Sequence, residues 1–407
     1  MMDQALAWLA SQSSRMADDL TELANLNSWS GNLTGLFQTA DWLSAWCDFP
    51  SAEFQRIPLS PRRIIDSAGS EQAIESCAAL QWRIRPDAPR QVLLGIHFDT
   101  VYPPAHEPDQ CVRPQPDKLI GPGTSDAKGG IVVVVNALRA VEQFRLAPDC
   151  GWTLLLTPDE EIGSPSSASL WESLAVQHDF GLLYEPALSS GAMVAERKGS
   201  GSFVIVLRGR SAHAGRDFES GRNAIAMAAK LAVQLDSINN KRSGVTVNVA
   251  EIGGGGPVNV VPALAILRFN VRVPDRESQA WFESSLQERL ADVPTPDGYC
   301  WELHGGFHAP PKTIDDKQRM LMNAIVKCAS EVCGKHTHWM AVGGVSDGNR
   351  LSAAGLPNID TLGPIGGNIH SSEEWVDLPS LVEKSQLTAG ILAGCSSGRL
   401  SLPEAAR

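Results

Sequence analysis

No stretch of the 407-residue chain reaches the roughly 18 consecutive apolar residues that suggest a membrane-spanning helix. The opening segment contains no basic region followed by an unbroken apolar one, so we expect no secretion signal. Basic residues are in the minority, with 34 Lys and Arg against 46 Asp and Glu, and the net charge of −12 would repel nucleic acid. We therefore predict a cytoplasmic protein that binds neither membranes nor nucleic acid.

The eight cysteines form no CxxC pair, and a chain of this size needs no disulfide bonds to be stable, so we expect them to be reduced and mostly buried. Neither of the nucleotide-binding glycine patterns, G-x-x-x-x-G-K-[ST] and G-x-G-x-x-G, occurs in the sequence. With 43% hydrophobic and 20% charged residues the composition is that of a globular protein, and the length is typical of two or three domains.

Short apolar runs of strand length recur at 91–96, 152–157 and 180–184, and each ends in polar or charged residues. Segments with helical spacing lie between them, and 129–144 is compatible with either a strand or a helix. Residues 3–50 also have a helical pattern, including a tryptophan-rich stretch expected to pack in the core. The alternation predicts an α/β fold with a mostly parallel sheet sandwiched by helices, whose chemistry lies at the carboxyl ends of the strands.

Between residues 197 and 309 the pattern changes to alternating strands and helices in the order βαββαβ. In chain order the segments are strand 201–209, helix 220–238, strands 245–252 and 263–273, helix 278–293 and strand 298–305. This order predicts a ferredoxin-like unit, in which a four-stranded antiparallel sheet has two helices on one face. We predict that this domain, 197–309, is inserted into a discontinuous catalytic domain formed by 1–196 and 310–407.

His97 and Asp99 follow the first apolar run, and a spacing of two in an extended chain points both side chains to one face. The histidine could bind a metal ion while Asp99 holds the ring in one tautomer. A structural histidine at a strand end is the alternative.

Carboxylates also follow other apolar runs and loops. Asp126 lies in the glycine-rich segment 121–130, where it either caps the next helix or binds an ion. Glu160 and Glu161 are adjacent carboxylates that repel each other unless cations neutralise them, and consecutive side chains diverge. One of them could therefore bind a metal ion while the other acts as the general base of a metallohydrolase, although an acidic surface turn has the same pattern.

Glu185 ends the run at 180–184, and His370 lies in a glycine-rich loop before the last helical segment. Each by itself is compatible with a solvated strand end or a surface loop. Considered jointly, two histidines and three carboxylates suit borderline metals such as zinc. The set is His97, Asp126, Glu161, Glu185 and His370. Five ligands are too many for one tetrahedral ion with an open position, and they suit two ions that share a carboxylate.

Nine short motifs occur in order between about residue 90 and residue 380. They are H-x-D-T-V, G-P-G-x-x-D-x-K-G-G, T-x-D-E-E-x-G-S, E-P, S-A-H-A-G, N-x-V-P, x-V-R, G-G-x-S-D and H-S-x-E. The series resembles the zinc-dependent exopeptidase and deacylase family that includes glutamate carboxypeptidase, aminoacylase, acetylornithine deacetylase and succinyl-diaminopimelate desuccinylase. It is most similar to the glutamate carboxypeptidase branch.

The resemblance implies two zinc ions per subunit, with Co²⁺ or Mn²⁺ as alternatives. It implies that His97, Asp126 and Glu185 bind one ion, and that Asp126, Glu161 and His370 bind the other.

The resemblance also implies that Glu160 is the general acid/base. We predict that Asp99 is a catalytic residue as well. The resemblance implies a cis peptide bond between Asp126 and Ala127. The chain departs from the family at Ala127, where relatives often carry Asp or Met, and at 27–31, where a relative would usually have a proline–serine turn near its substrate pocket. The second departure leaves substrate choice open.

For the inserted domain the resemblance implies two roles: it would act as a lid over the active site, and it would form the contact between the two subunits of a homodimer. His213 would reach the partner subunit's active site, and Asn259 and Arg272 would contact the substrate, Arg272 at its free carboxylate. A surface strand charge is the alternative for Arg272. Gly343 and Gly344 match a turn that borders the substrate site in the family.

The sequence therefore predicts a dinuclear zinc hydrolase that cleaves an amide bond next to a free carboxylate of a small-molecule substrate. Two alternatives stay open. One is an N-acyl amino acid deacylase or carbamoyl-amide hydrolase on the same scaffold. The other is a metal-binding relative without catalysis.

Overall fold

The computed structural model describes residues 1–293 and 295–404, so residue 294 and the last three residues of the predicted segment 310–407 lie outside the described part. The helices are α1 (Met2–Ser11), α2 (Ser13–Ala24), α3 (Leu33–Trp46), α4 (Lys128–Gln143), α5 (Ala168–Ala175), α6 (Ala224–Asp236), α7 (Arg276–Ala291), α8 (Asp316–Cys333), α9 (Asp347–Ala353) and α10 (Leu378–Ser396). The strands are β1 (Glu53–Ile57), β2 (Arg62–Ile65), β3 (Glu71–Ile74), β4 (Ala79–Ile84), β5 (Arg90–His97), β6 (Val112–Gln115), β7 (Lys118–Ile120), β8 (Cys150–Thr157), β9 (Phe180–Leu183), β10 (Met193–Arg197), β11 (Gly199–Arg208), β12 (Thr246–Gly254), β13 (Leu264–Val273), β14 (Cys300–Ala309), β15 (Trp339–Val342), β16 (Asn358–Ile359), β17 (Gly366–Gly367) and β18 (Trp375–Asp377).

The larger sheet has the strand order β1-β4-β8-β5-β9-β16. Its last four strands are parallel, whereas β4 and β1 are antiparallel to their neighbours. Along β5, Val92 and Leu94 pack into the core beneath α4 and α10, whereas Leu93 faces the smaller core formed with α5 and α9. Helices thus cover both faces, which explains why β5 and β8 are almost continuous apolar runs. The prediction of a mostly parallel sheet sandwiched by helices is confirmed.

Helix α4 contains four consecutive valines, 132–135, although β-branched residues lower helix propensity. The helix is buried on nearly all sides, so packing outweighs this preference. A Cβ added at Gly130 would lie 2.1 Å from the carbonyl oxygen of Tyr184. Glycine at this position therefore allows the first turn of α4 to approach the chain that leaves β9.

The second sheet has the strand order β12-β13-β11-β14 and is antiparallel throughout. Numbered within the unit this is 2-3-1-4, the ferredoxin-like order. Helices α6 and α7 pack on one face, where Leu231 and Phe282 contact a core that includes Phe203. The strands and helices follow the predicted order βαββαβ. The boundaries at 197 and 309 stay our proposal for where this domain begins and ends.

The chain passes between the two sheets twice, at the end of β10 and after β14, and the two passages lie side by side. The backbone N–H of Arg197 donates to the Lys312 carbonyl at 3.1 Å, and the N–H of Lys312 donates to the Arg197 carbonyl at 3.0 Å. Both side chains also donate to one buried oxygen of Asp360, at 2.7 and 2.9 Å. This ion cluster fixes both connections to the larger sheet.

Three small sheets, β10-β15, β17-β18-β7-β6 and β2-β3, were not expected from the sequence. All eight cysteines are free. The tryptophan-rich stretch packs partly against the core, with Trp42 and Trp46 stacked at 5.2 Å between ring centroids. Within the described residues, no helix is both long and apolar enough to cross a membrane.

Candidate metal centre and active site

Three neighbouring parallel strands deliver acidic and imidazole side chains to one edge of the larger sheet. His97 is the last residue of β5, and Glu185 follows β9 on one side of it. Glu160 and Glu161 follow β8 on the other side and begin a one-turn 3-10 helix. The sheet order therefore brings these residues together at the carboxyl ends of the strands.

Loops supply the two remaining predicted ligands. Asp126 lies just before α4, and its peptide bond to Ala127 is cis, as the resemblance implied. His370 lies in the loop between β17 and β18 and has a left-handed backbone conformation, with φ 62°. Its side chain is 49% exposed, whereas that of His97 is 1% exposed. The His370 side of the cluster therefore faces the solvent.

The carboxylate of Asp126 lies between the two histidines. Its Oδ1 is 3.1 Å from Nε2 of His97, and its Oδ2 is 3.3 Å from Nε2 of His370. A second carboxylate accompanies each histidine: Glu185 Oε2 lies 3.7 Å from His97 Nε2, and Glu161 Oε2 lies 3.3 Å from His370 Nε2. The five residues thus form two groups of three that share Asp126.

Burial and close neighbours displace the pKa values of the residues in this cluster from their usual ranges. Burial, followed by repulsion from Asp126, raises the pKa of Glu161 to about 7. Burial and then the charge of Glu185 raise the pKa of Glu160 well above its usual range. Hydrogen bonds to Asp126 and Glu161 raise the pKa of His370 to about 10. A divalent cation between these carboxylates and the imidazole nitrogens would offset the cost of burial and the repulsion that raise the carboxylate pKa values. The residues are therefore a suitable donor set for such a cation.

One atom of the cluster has no partner in the part of the chain that the structure describes. Glu161 Oε1 is buried and has no hydrogen-bond partner among the described residues. A buried carboxylate oxygen without a partner is costly, and a bound cation would satisfy it. The residues present therefore fit a metal centre.

Asp99 is buried beside His97 and holds two parts of the site. His97 Nδ1 lies 3.0 Å from the backbone carbonyl of Asp99 and 3.4 Å from its Oδ1. Both ring nitrogens of His97 therefore face oxygens, Nδ1 those of Asp99 and Nε2 those of Asp126 and Glu185. A proton on Nδ1 would leave the lone pair of Nε2 for a metal ion. The Asp99 carboxylate also accepts the hydroxyl of Ser30 and the backbone N–H groups of Glu160 and Glu161.

Glu374 is a residue of the site that sequence reasoning missed. It is buried, and its Oε1 accepts the backbone N–H groups of Ser125 and Asp126 at 2.8 and 2.9 Å. Its Oε2 accepts the hydroxyl of Tyr102. Glu374 therefore links the loop that carries His370 to the loop that carries the shared Asp126. The only sequence signal was its position one residue after the H-S-x-E motif.

A cleft of about 670 Å³ opens above the cluster, between the two sheets. Glu160 and Arg272 both line it, and Arg272 Nε donates to the side-chain oxygen of Asn270 at 3.1 Å. Gly344 lines the cleft as well, and Gly343 is exposed next to it. Arg272 is thus a cleft residue and not a surface strand charge.

His213 and Asn259 are not brought to this cleft. Both are exposed on the inserted unit, where the Ala214 N–H donates to the Asn259 carbonyl at 2.9 Å. The neighbouring Val258 is fully exposed, at 102%. Within one chain, therefore, these two residues lie next to each other on the surface, away from the other predicted site residues.

The comparison with protein families matches residues 93–393 to the model described as peptidase family M20/M25/M40. This match covers more than half of the chain. The chain belongs to this peptidase family. It is a hydrolase acting on peptide or amide bonds, and enzymes of the family depend on metal ions.

Individual relatives agree with this assignment. Carboxypeptidase G2 from Pseudomonas sp. (strain RS-16) is 25% identical over 384 residues, covering 93% of this chain and 89% of the relative. Succinyl-diaminopimelate desuccinylase from Dechloromonas aromatica is 29% identical over 287 residues, covering 67% and 74%. The M20 family metallo-carboxypeptidase Sso-CP2 from Sulfolobus solfataricus superposes with a TM-score of 0.72 at 17% identity, covering 93% and 98%. The family and the branch expected from the motifs are confirmed.

Proposed function

We propose that this M20 peptidase is a dinuclear zinc hydrolase that cleaves an amide bond adjacent to a free carboxylate, as a glutamate carboxypeptidase would. One observation carries the proposal: the two oxygens of Asp126 face two different histidines, His97 at 3.1 Å and His370 at 3.3 Å. A carboxylate in this position suits a bridge between two ions. Glu185 and Glu161 would complete the two ligand sets.

Two zinc ions in these sets, or Co²⁺ or Mn²⁺ in their place, would lower the pKa of a water molecule and polarise the scissile carbonyl. Glu160 is left without a ligand role and lines the cleft. Burial raises its pKa above the usual range, and a carboxylate with a raised pKa accepts a proton more readily. Glu160 would take a proton from the attacking water and return it to the leaving amine.

Arg272 is the residue that we assign to the free carboxylate of the substrate. It is held in the cleft by Asn270, and a guanidinium binds a carboxylate through two parallel hydrogen bonds. The similarity to carboxypeptidase G2 supports a carboxylate-bearing substrate on the leaving-amine side. We accordingly propose a small peptide or N-acylated amino acid with a free carboxylate.

We further propose that the chain acts as a cytoplasmic homodimer whose contact is made by the inserted unit. The exposed positions of His213 and Asn259 leave them available to a second copy. In this arrangement His213 would polarise the scissile carbonyl in the partner's cleft, and Asn259 would contact the substrate there.

A deacylase of N-acyl amino acids is the second candidate, and the similarity to succinyl-diaminopimelate desuccinylase favours it. A carbamoyl-amide hydrolase would use the same scaffold. A metal-binding protein without catalysis is disfavoured, because it would have no chemical need for Glu160 beside the ligands.

A hydrolysis panel tests the proposal. Purified protein would be assayed on N-acyl amino acids, carbamoyl amides and dipeptides ending in Glu or Asp, with and without a chelator. Chelator-sensitive cleavage of the acidic dipeptides supports the carboxypeptidase. Preference for simple N-acyl amino acids selects the deacylase, and no cleavage of any substrate overturns both.

A further inference from the structure

The turn that carries Glu160 and Glu161 has an uncommon backbone. In this segment, 159–164, called here the catalytic turn, Gly163 has φ 87° and Ser164 has φ 52°. Residues other than glycine rarely adopt this left-handed backbone conformation. They do so only where contacts with the surrounding structure stabilise it. The turn also closes on itself, since the N–H of Gly163 donates to the carbonyl of Glu160 at 2.7 Å. This bond links Gly163 directly to Glu160, and the N–H of Ser164 donates to the carbonyl of Asp159 at 2.8 Å.

Helix α9 supplies the contacts that hold these two residues. Asp347 Oδ1 accepts the hydroxyl of Ser164 at 2.5 Å, and the guanidinium of Arg350 donates to the carbonyl of Gly163. Arg350 Nε lies 3.6 Å from Asp347 Oδ1, so the two side chains also support each other. Asp347 and Arg350 are buried, at 2% and 7% exposure, and neither of them lines the cleft above the ligand cluster.

The same helix contacts both connections to the inserted unit. Asn349, which is completely buried, donates from Nδ2 to the carbonyls of Lys198 at 3.0 Å and Pro310 at 2.7 Å. Lys198 follows β10, and Pro310 follows β14, so each carbonyl belongs to one of the two passages between the sheets. One short helix thus joins the connections of the predicted lid to the catalytic turn.

We propose that Asp347 and Arg350 are positioning residues, which hold the catalytic turn in its left-handed form so that Glu160 faces the reacting water. This inference rests on the proposed function of Glu160. Positioning of a reacting group matters because a displacement of about 1 Å can reduce the rate about 10²-fold. Neither residue touches the substrate in this proposal, so their loss should lower kcat and leave KM nearly unchanged.

The decisive variant is Ser164→Gly. Glycine adopts the left-handed conformation of this position without strain, so the variant keeps the backbone conformation of the turn accessible, but it loses the hydroxyl that Asp347 accepts. A urea unfolding curve establishes that the variant is folded before its kinetics are measured. We expect an unchanged zinc content, a KM within about threefold of the wild type and a kcat at least about 10-fold lower. The matched control is Asn240→Gly. Asn240 also has a left-handed backbone conformation, with φ 68°, but it lies in an exposed loop, so the substitution should leave kcat unchanged.

Arg350→Ala gives a second, independent test. We expect kcat to fall about 10²-fold and to recover in part when millimolar guanidinium ion is added, because a free guanidinium can donate to the Gly163 carbonyl. Arg399→Ala removes an exposed arginine paired with Glu331, and this control should show neither loss nor recovery.

The outcomes separate this inference from the proposed function. A wild type without hydrolase activity overturns both. An active wild type together with a Ser164→Gly variant whose kcat is within twofold of it overturns only the positioning role. The positioning role is also overturned if guanidinium does not rescue a folded Arg350→Ala variant, or if the loss in either variant is in KM.

Discussion

The buried carboxylate of Asp99 accepts the backbone N–H of Glu160 at 3.0 Å. Asp99 therefore contacts residues at the ends of two neighbouring strands. Its backbone carbonyl and carboxylate face Nδ1 of His97 at the end of β5, and its carboxylate holds the N–H of Glu160 at the start of the catalytic turn after β8. A single buried residue thus contacts both a predicted metal ligand and the proposed general base.

Replacing Glu160 by glutamine should abolish turnover without loss of metal. Glutamine keeps the shape of the side chain but cannot accept and return a proton, and general acid/base groups contribute about 10²–10⁴-fold to the rate. We expect kcat to fall by at least about 10²-fold while the zinc content per chain, measured by atomic emission, stays that of the wild type. Wild-type activity in this variant would remove Glu160 from its role.

Replacing Asp99 by alanine should weaken metal binding. The variant keeps the backbone carbonyl that faces His97 Nδ1, but it loses the carboxylate oxygen 3.4 Å from that nitrogen and the two hydrogen bonds that hold Glu160 and Glu161. Loss of such supporting contacts typically lowers metal affinity about 10–100-fold. Competition with a chromophoric chelator measures this change, and exposed Asp41, changed to alanine, is the control. An unaltered zinc affinity would show that the ligands need no support from Asp99.

Replacing Asp360 by asparagine should destabilise the fold strongly. The substitution removes the negative charge that Arg197 and Lys312 share, so both cations would remain buried without it. Breaking a buried ion cluster of this kind costs about 3–5 kcal/mol. Urea unfolding measures the loss. Asp41→Asn, which removes the partner of Arg56 from an exposed pair, should cost at most about 1 kcal/mol. Equal effects of the two substitutions would contradict the stabilising role of the cluster.

The same cluster predicts a pH dependence. Although burial raises the pKa of Asp360, Arg197 and Lys312 outweigh burial and hold that pKa below its usual range. A lowered pKa in the folded state stabilises the protein above the unfolded value, near about 4, and the stabilisation is lost as the pH falls toward the folded value. The stability difference between wild type and Asp360→Asn should therefore be constant from about pH 5 to 7 and shrink below about pH 4.

Mixed dimers test the proposed role of His213 in the partner's cleft. His213→Ala and Glu160→Gln should each be nearly inactive as homodimers. An equilibrated equal mixture should recover about one quarter of wild-type activity, because half of the dimers are mixed and each holds one complete site. Mixtures that stay inactive, although mass spectrometry detects the mixed dimer, would place the site within one subunit.

Much of the cluster could be predicted from the sequence, because each predicted ligand follows a buried apolar run or lies in a glycine-rich loop. His97, Glu161 and Glu185 follow neighbouring strands of a parallel sheet, so the strand pattern alone brings them to one edge. The segment before residue 144 was ambiguous, because its valines favour a strand while its burial within the fold makes it helix α4.

The supporting residues could not be predicted in this way. Asp347 ends the motif G-G-x-S-D and Glu374 follows the motif H-S-x-E, but neither motif indicates what these acids contact, because their partners lie far away in the sequence. The bond between Ser164 and Asp347 joins residues 183 positions apart and depends on the packing of α9 beside the catalytic turn. Contacts of this kind follow from the assembled fold and not from the spacing of residue types.

The position of two metal ions is the most direct test of the central claim, that Asp126 is shared by two ligand sets. Crystals of the zinc-loaded protein would be measured at the zinc absorption edge. We predict two anomalous peaks per chain, one among His97, Asp126 and Glu185 and the other among Asp126, Glu161 and His370. A single peak, or two peaks that do not share Asp126, would contradict the proposed dinuclear centre.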